Sequence, residues 1–140
     1  MLKTAAMAPQ RVLNRIGRLS YFHDERHAQR RNEIRWLVEE FVEIPVKNLP
    51  PALEGFTIVQ LTDMHLRPYT QVEHIERAVE KTNALKPDLV VLTGDYVWHD
   101  AQDILDLVPV LAKLNARHGI FAVMGNHDIK TDPVLIEETF

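Results

Sequence analysis

The sequence contains no cysteine. Disulfides, thiolate nucleophiles and cysteine-based zinc sites are therefore excluded, and any metal ion has to be held by Asp, Asn, His, Glu or backbone oxygen. No apolar run reaches the roughly 18 residues that would suggest a membrane-spanning helix. No uninterrupted apolar stretch follows Lys3, so no complete secretory signal is expected. Internal repeats and low-complexity segments are absent as well. What is present fits one small soluble globular domain: 140 residues, 46% hydrophobic and 26% charged.

The charge is unevenly spread. Residues 1–31 hold seven Lys/Arg against two Asp/Glu, while the rest of the chain holds nine basic and eighteen acidic residues. In the basic stretch, Val12, Ile16 and Leu19 fall at near-helical spacing among arginines. Such a segment can lie on an anionic membrane surface, or it can be a solvated arm outside the core. Residues 1–33 are read as a basic, flexible arm and 34–140 as the domain. The location expected from this is cytoplasmic or peripheral to the membrane. The acidic domain makes a poor general nucleic-acid binder, because phosphate contacts need a basic face, so no specific nucleic-acid partner is expected. Nothing in the sequence indicates the oligomeric state.

Hydrophobic periodicity divides the rest. Residues 34–46, "IRWLVEEFVEIPV", carry a helical stripe, yet the β-branched and aromatic residues from Phe41 to Val46 favour an extended strand, and Pro45 favours an edge or a strand end. A turn-rich link, "KNLPPALEG", follows. Buried strands are predicted at 56–62, 88–94 and 119–125. An amphipathic helix is predicted over 71–86, ended by Pro87, and a second over 103–116, bent by Pro109. Asp132 and Pro133 have the N-cap and first-turn signature of a further helix. The order is β-β-α-β-α-β-α. Apolar strands joined by single helices imply an α/β fold with mostly parallel central strands and both sheet faces covered.

In such sheets the functional groups gather beyond the carboxyl ends of the strands. The first of the three buried strands runs into "LTDMH", the second into "LTGDYV" and the third into "MGNHD". Asp63 and His65, then Asp95, then Asn126 and His127 are thereby delivered to one edge, spaced by about 30 residues, the length of one β-α repeat. Any single Asp or Asn after a strand is often just a turn or cap former. Three in register point to a metal site. Carboxylate, imidazole and amide donors suit Mn, Fe or Zn, and two such ions roughly 3.5–4 Å apart can clamp a phosphoryl group and generate hydroxide. The glycines beside Asp95 and Asn126 let the backbone turn tightly enough for the side chains to crowd together.

"DMH", "GDYV" and "GNHD", in this order and spacing, resemble the calcineurin-like metallophosphoesterase family, and the lead-in "EIPVKNLPPALEGFTIVQLTDMHL" resembles its bacterial phosphodiesterase-like branch. The likeness covers about residues 41–140. It implies the amino-terminal half of a metallophosphoesterase-type αββα sandwich and a phosphate-ester substrate. It further implies that Asp63 and His65 bind one ion, that Asp95 bridges, and that Asn126 binds a second. His127 would contact the phosphate and protonate or stabilise the leaving oxygen, and Asp128 would orient His127.

The family also places histidines in later Gly-His segments. Of the remaining histidines here, His74 is read as an exposed helical residue, His118 as a charge at a helix carboxyl end, and His23 and His27 as part of the arm; His99, with Trp98, follows Asp95 closely and could line the pocket, but is read as part of a surface loop. The domain is therefore expected to be incomplete at its carboxyl end, with weak binding of one ion and little hydrolysis by these 140 residues alone. The alternative expectation is a non-catalytic binding or interaction module.

Overall fold

The computed structural model describes residues 15–22, 37–68 and 70–140. Five strands form one sheet: β1 (Arg15–Phe22), β2 (Glu40–Pro45), β3 (Ile58–Leu61), β4 (Leu89–Leu92) and β5 (Ile120–Ala122), in the spatial order β2-β1-β3-β4-β5. β1, β3, β4 and β5 are parallel, and β2 pairs antiparallel with β1 at the edge. Helix α1 (Val72–Ala84) joins β3 to β4, and α2 (Ile104–Leu111) joins β4 to β5. After β5 come α3 (Asn126–Thr131) and α4 (Pro133–Thr139).

The core lies on one face of the sheet. Val59 and Leu61 of β3 and Val90 and Leu92 of β4 are buried, while their alternating neighbours Ile58, Gln60, Leu89 and Val91 are half-buried, as the period of two along a strand requires. Against the buried set pack Ile75 and Val79 of α1, Ile104, Leu107 and Val110 of α2, and Ile136 of α4. The reason both long helices share a face is topological. β3, β4 and β5 are neighbours in chain order, so each crossover steps in the same direction, and two right-handed crossovers stepping the same way put their helices on the same side. The two-sided cover expected from the apolar strands is not met among the described residues: Ile120, Phe121 and Val123 of the β5 segment remain exposed.

Of the ambiguous 34–46 stretch, residues 37–46 are described, and Glu40–Pro45 form an edge strand that stops at Pro45, whose missing N–H ends the ladder. The basic arm is described only at residues 15–22. There the backbone forms β1 in the sheet, where the spacing of Val12, Ile16 and Leu19 suggested a helix. The register of β1 against β2 slips between Ile16 and Arg18, which breaks the strand period just where the apolar spacing looks helical. α2 ends at Leu111 rather than 116, two residues after Pro109. His118 thus lies well past the helix and stacks on Phe56. His74 is only half-exposed, and its Nδ1 accepts the Gln71 backbone N–H at 3.2 Å, which caps α1. Asp132 accepts the Leu135 N–H at 3.0 Å ahead of Pro133, as its signature predicts.

At the sheet's amino-terminal edge, Asp88 ties the start of β4 to β3. Its Oδ2 accepts from the Thr57 backbone N–H at 2.8 Å and from the Thr57 hydroxyl at 3.0 Å, and Arg117 lies 3.7 Å from Oδ1. The Thr57 backbone bond, more than the hydroxyl or Arg117, holds the Asp88 carboxyl below its ordinary value of 3.8, against the opposing effect of desolvation. This stabilisation is complete above the ordinary value and is lost as pH falls through the lower value of the folded state. Asp88→Asn is therefore expected to lower stability at neutral pH and to flatten the acid limb below roughly pH 4. Urea denaturation across that range checks it, and an unchanged acid limb would rule Asp88 out as its source.

Candidate metal centre

The strands stop, but their pairing does not. Beyond Leu61 and Leu92 the chain continues side by side: the Asp63 N–H donates to the Gly94 carbonyl at 3.1 Å, His65 to Asp95 at 2.9 Å and Leu66 to Tyr96 at 2.9 Å. Regular extended backbone does not produce this ladder. Asp63, His65 and Asp95 have φ of 52°, 43° and 56°, and Gly94 has 91°. For a residue with a Cβ, this left-handed region costs on the order of 1–3 kcal/mol, least for Asn, Asp and His.

Two glycines allow the ends of β4 and β5 to close on one another. A Cβ on Gly94 would strike the Gly125 backbone nitrogen, and a Cβ on Gly125 would strike the Asp95 carboxylate. Asp128, which has no exposed surface, then fastens the two ends together. Its Oδ2 accepts from the backbone N–H of Asp95 at 2.7 Å and of Gly125 at 2.8 Å, and its Oδ1 accepts from Tyr96 at 2.8 Å and from Val97 at 3.3 Å. Behind this knot the Tyr96 hydroxyl donates to the Val123 carbonyl at 2.8 Å. Burial first, and the nearby Asp128 second, push that phenol up, so it stays a donor.

On the open side of the knot, side chains meet. His65 Nε2 stands 3.3 Å from Asp95 Oδ2, and Asp95 Oδ1 accepts the His127 backbone N–H at 3.0 Å. His65, Asp95 and His127 each offer a ligand atom, and these atoms all lie within 4.8 Å of one another, half-buried. Asp63 lies on the same edge but outside this close group, and its Oδ2 accepts from the Thr62 hydroxyl at 2.7 Å. Asn126 opens α3 and is exposed. Two imidazoles and a carboxylate in a half-buried hollow fit a divalent ion such as Mn, Fe or Zn.

One expected role changes. Asp128 does not orient the His127 ring: Nδ1 of His127 lies 2.9 Å from the Trp98 carbonyl, while the Asp128 oxygens are taken up by backbone N–H groups. The reason is burial, since Asp128 points under the loop and His127, one residue before it in the helix, points out. In the sequence Trp98 stands out only beside His99, as a pair close to Asp95 that could line the pocket but is read as surface loop; the structure places it against the site histidines. It stacks on His127 with ring centroids 4.4 Å apart and planes 20° off parallel, and His65 meets it edge-on at 4.8 Å. A carbonyl that serves as a partner carries no residue-type signal, and only the nearness of Trp98 to Asp95 in "GDYVW" hints at it.

Removing the Asp128 carboxylate would orphan buried donors, each costing roughly 1–3 kcal/mol. Asp128→Ala is expected to destabilise by more than about 3 kcal/mol, and Asp128→Asn, which keeps one acceptor oxygen, by less. Gly125→Ala is expected to be as severe as Asp128→Ala because its Cβ would also strike the Asp95 backbone nitrogen, which cannot yield. Urea unfolding followed by circular dichroism checks all three. Equal stability of Asp128→Ala and the unsubstituted chain would remove the knot from the account.

The family model described as calcineurin-like phosphoesterase matches residues 56–139. A transmembrane protein with metallophosphoesterase domain from Bos taurus is 37% identical over 93 residues, covering 66% of this chain and 21% of that protein. The uncharacterized metallophosphoesterase YkuE of Bacillus subtilis is 39% identical over 87 residues, 57% of this chain and 29% of its own. The UDP-2,3-diacylglucosamine pyrophosphatase LpxG of Chlamydia muridarum is 38% identical over 80 residues, 56% of this chain and 24% of its own. The chain thus spans between a fifth and a third of the length of these relatives. No solved structure matches it. A family match over more than half the residues, with the matching motifs at three adjacent strand ends, means that the chain belongs to the calcineurin-like phosphoesterases.

Proposed function

We propose that the chain is the metal-binding part of a hydrolase that cleaves phosphate mono- or diesters at a dinuclear site. The observation that carries this reading is the meeting of His65, Asp95 and His127 at the carboxyl edge of the sheet, in a chain of this family. Asp63 and His65 would hold one ion, Asp95 would bridge, and Asn126 would hold the second; Mn, Fe and Zn all suit these donors. Ions bound there supply charge for the phosphoryl oxygens and hydroxide at neutral pH.

The side chains have work of their own. Asp95 is fixed before any ion arrives, because its Oδ1 already accepts the His127 N–H. His127 is engaged at Nδ1 by the Trp98 carbonyl, so Nε2 is the nitrogen that would reach the phosphate and pass a proton to the leaving oxygen. Such proton donation contributes about 10²–10⁴-fold. Asp128 acts through the backbone by holding Asp95 in place. Family membership favours the hydrolase over the non-catalytic module. No helix among the described residues is long and apolar enough to cross a membrane. The basic charge of residues 1–31 would serve a peripheral contact with anionic lipid.

The described residues offer the first ion three donors, Asp63, His65 and Asp95, and the second only Asp95 and Asn126. One Mn²⁺ per chain is therefore expected to bind measurably, with a second far weaker and slow turnover of a chromogenic phosphodiester. Asp95→Asn is expected to weaken the first ion by at least about tenfold. Electron paramagnetic resonance counts free Mn²⁺ during titration. Unchanged binding in Asp95→Asn, or no binding at all by the unsubstituted chain, would sink the reading.

A further inference from the structure

We infer that Trp98 is a positioning residue that fixes both the tautomer and the ring plane of His127. The role in proton transfer rests on the proposed function, whereas the positioning itself is a property of the folded chain.

The ring of His127 is constrained from two directions. In its own plane, Nδ1 lies 2.9 Å from the Trp98 carbonyl oxygen. A carbonyl oxygen only accepts, so Nδ1 must carry the hydrogen, and in the neutral ring Nε2 is left as a bare lone pair. Across its plane, the indole of the same residue lies against it, 4.4 Å between centroids and 20° from parallel. A hydrogen bond alone would let the ring rock about the Nδ1–O axis, and a stack alone would let it spin in plane. Together they leave one orientation.

Trp98 can do this because its own place is secured. The preceding residue, Val97, donates its N–H to Asp128 and bridges to Leu66. The indole is met edge-on by His65 at 4.8 Å and 87°, and by His99 at 5.2 Å and 65°. His65 also meets His127 at 4.9 Å and 70°. The three rings form a corner in which the indole is the wall common to both candidate site histidines. His127 is thereby presented as an Nε2 acceptor or ligand in its neutral form and as an Nε2 donor once protonated, without a carboxylate on its far nitrogen.

The test is nuclear magnetic resonance of the metal-free chain with ¹⁵N-labelled histidine, at a pH where the His127 ring is neutral. The expected result is a roughly fivefold to tenfold excess of the Nδ1–H tautomer, the ratio that one hydrogen bond of this kind supports, with His127 carbon-bound protons shifted upfield by the indole. Trp98→Ala keeps the backbone carbonyl but removes the wall. It is expected to pull the tautomer ratio toward an even mixture and to abolish the upfield shift, whereas Trp98→Phe restores most of the ratio. Amide shifts of Asp95, Tyr96 and Gly125 report whether the Asp128 knot survives in each variant. A His127 found as the Nε2–H tautomer in the unsubstituted chain would overturn the inference without recourse to any variant. So would a ratio unmoved in Trp98→Ala with the knot intact. Neither outcome depends on metal or turnover, so failure here is distinct from failure of the hydrolase reading.

Discussion

The Asp128 carboxylate, with its four backbone N–H donors, is the interaction on which the rest of the site depends. Three donors come from consecutive residues after β4 and one from the turn after β5. A single buried side chain therefore decides where two strand ends stand relative to one another. Asp95 faces the hollow because its N–H is held behind it. Trp98 reaches His127 because Val97 is tied down. The close approach is possible only with hydrogen at Cα in Gly94 and Gly125, so the carboxylate and the two glycines form one device.

Much of this was legible in the chain. Apolar runs that stop at polar residues, repeated at the length of one β-α unit, revealed β3, β4, β5 and their common edge, because burial leaves a strong pattern and the parallel topology does the rest. Asp63, His65, Asp95, Asn126 and His127 all emerged from that pattern. What was not legible depends on backbone groups. The partners of Asp128 are N–H groups and the partner of His127 Nδ1 is a carbonyl, and every residue type except proline offers both. β1 escaped for another reason: the slip beside Gly17 shifts the alternation by one residue, and a shifted period of two passes for a helix. The shortening of α2 follows from Pro109, which marked a bend in the sequence but sits nearly at the helix's end.

The order of the strands has an energetic side. With β3, β4 and β5 laid down in one direction, the buried side chains between these strands and the helices work on the same interface, and that interface holds most of the apolar core among the described residues. β5 gains little from it, since its three residues are exposed. Its place is held by pairing with β4 and by the polar knot at its carboxyl end. The strand that delivers Asn126 and His127 is thus secured by hydrogen bonds more than by packing, and the site and the stability of that edge rise and fall together.

The left-handed backbone at Asp63, His65 and Asp95 filters residues in a way that ligand chemistry alone does not. Of side chains with a Cβ, the few that occupy this region at modest cost are Asn, Asp and His, and metal-binding donors come from the same short set. Backbone and ion ask for the same residue types at these positions. Replacing one of them with alanine or valine therefore changes two things, the donor and the shape of the loop, and the loss cannot be credited to either. Exchange within the set, aspartate for asparagine above all, keeps the turn and alters only the charge, and it is the substitution that separates the folding of this edge from its chemistry.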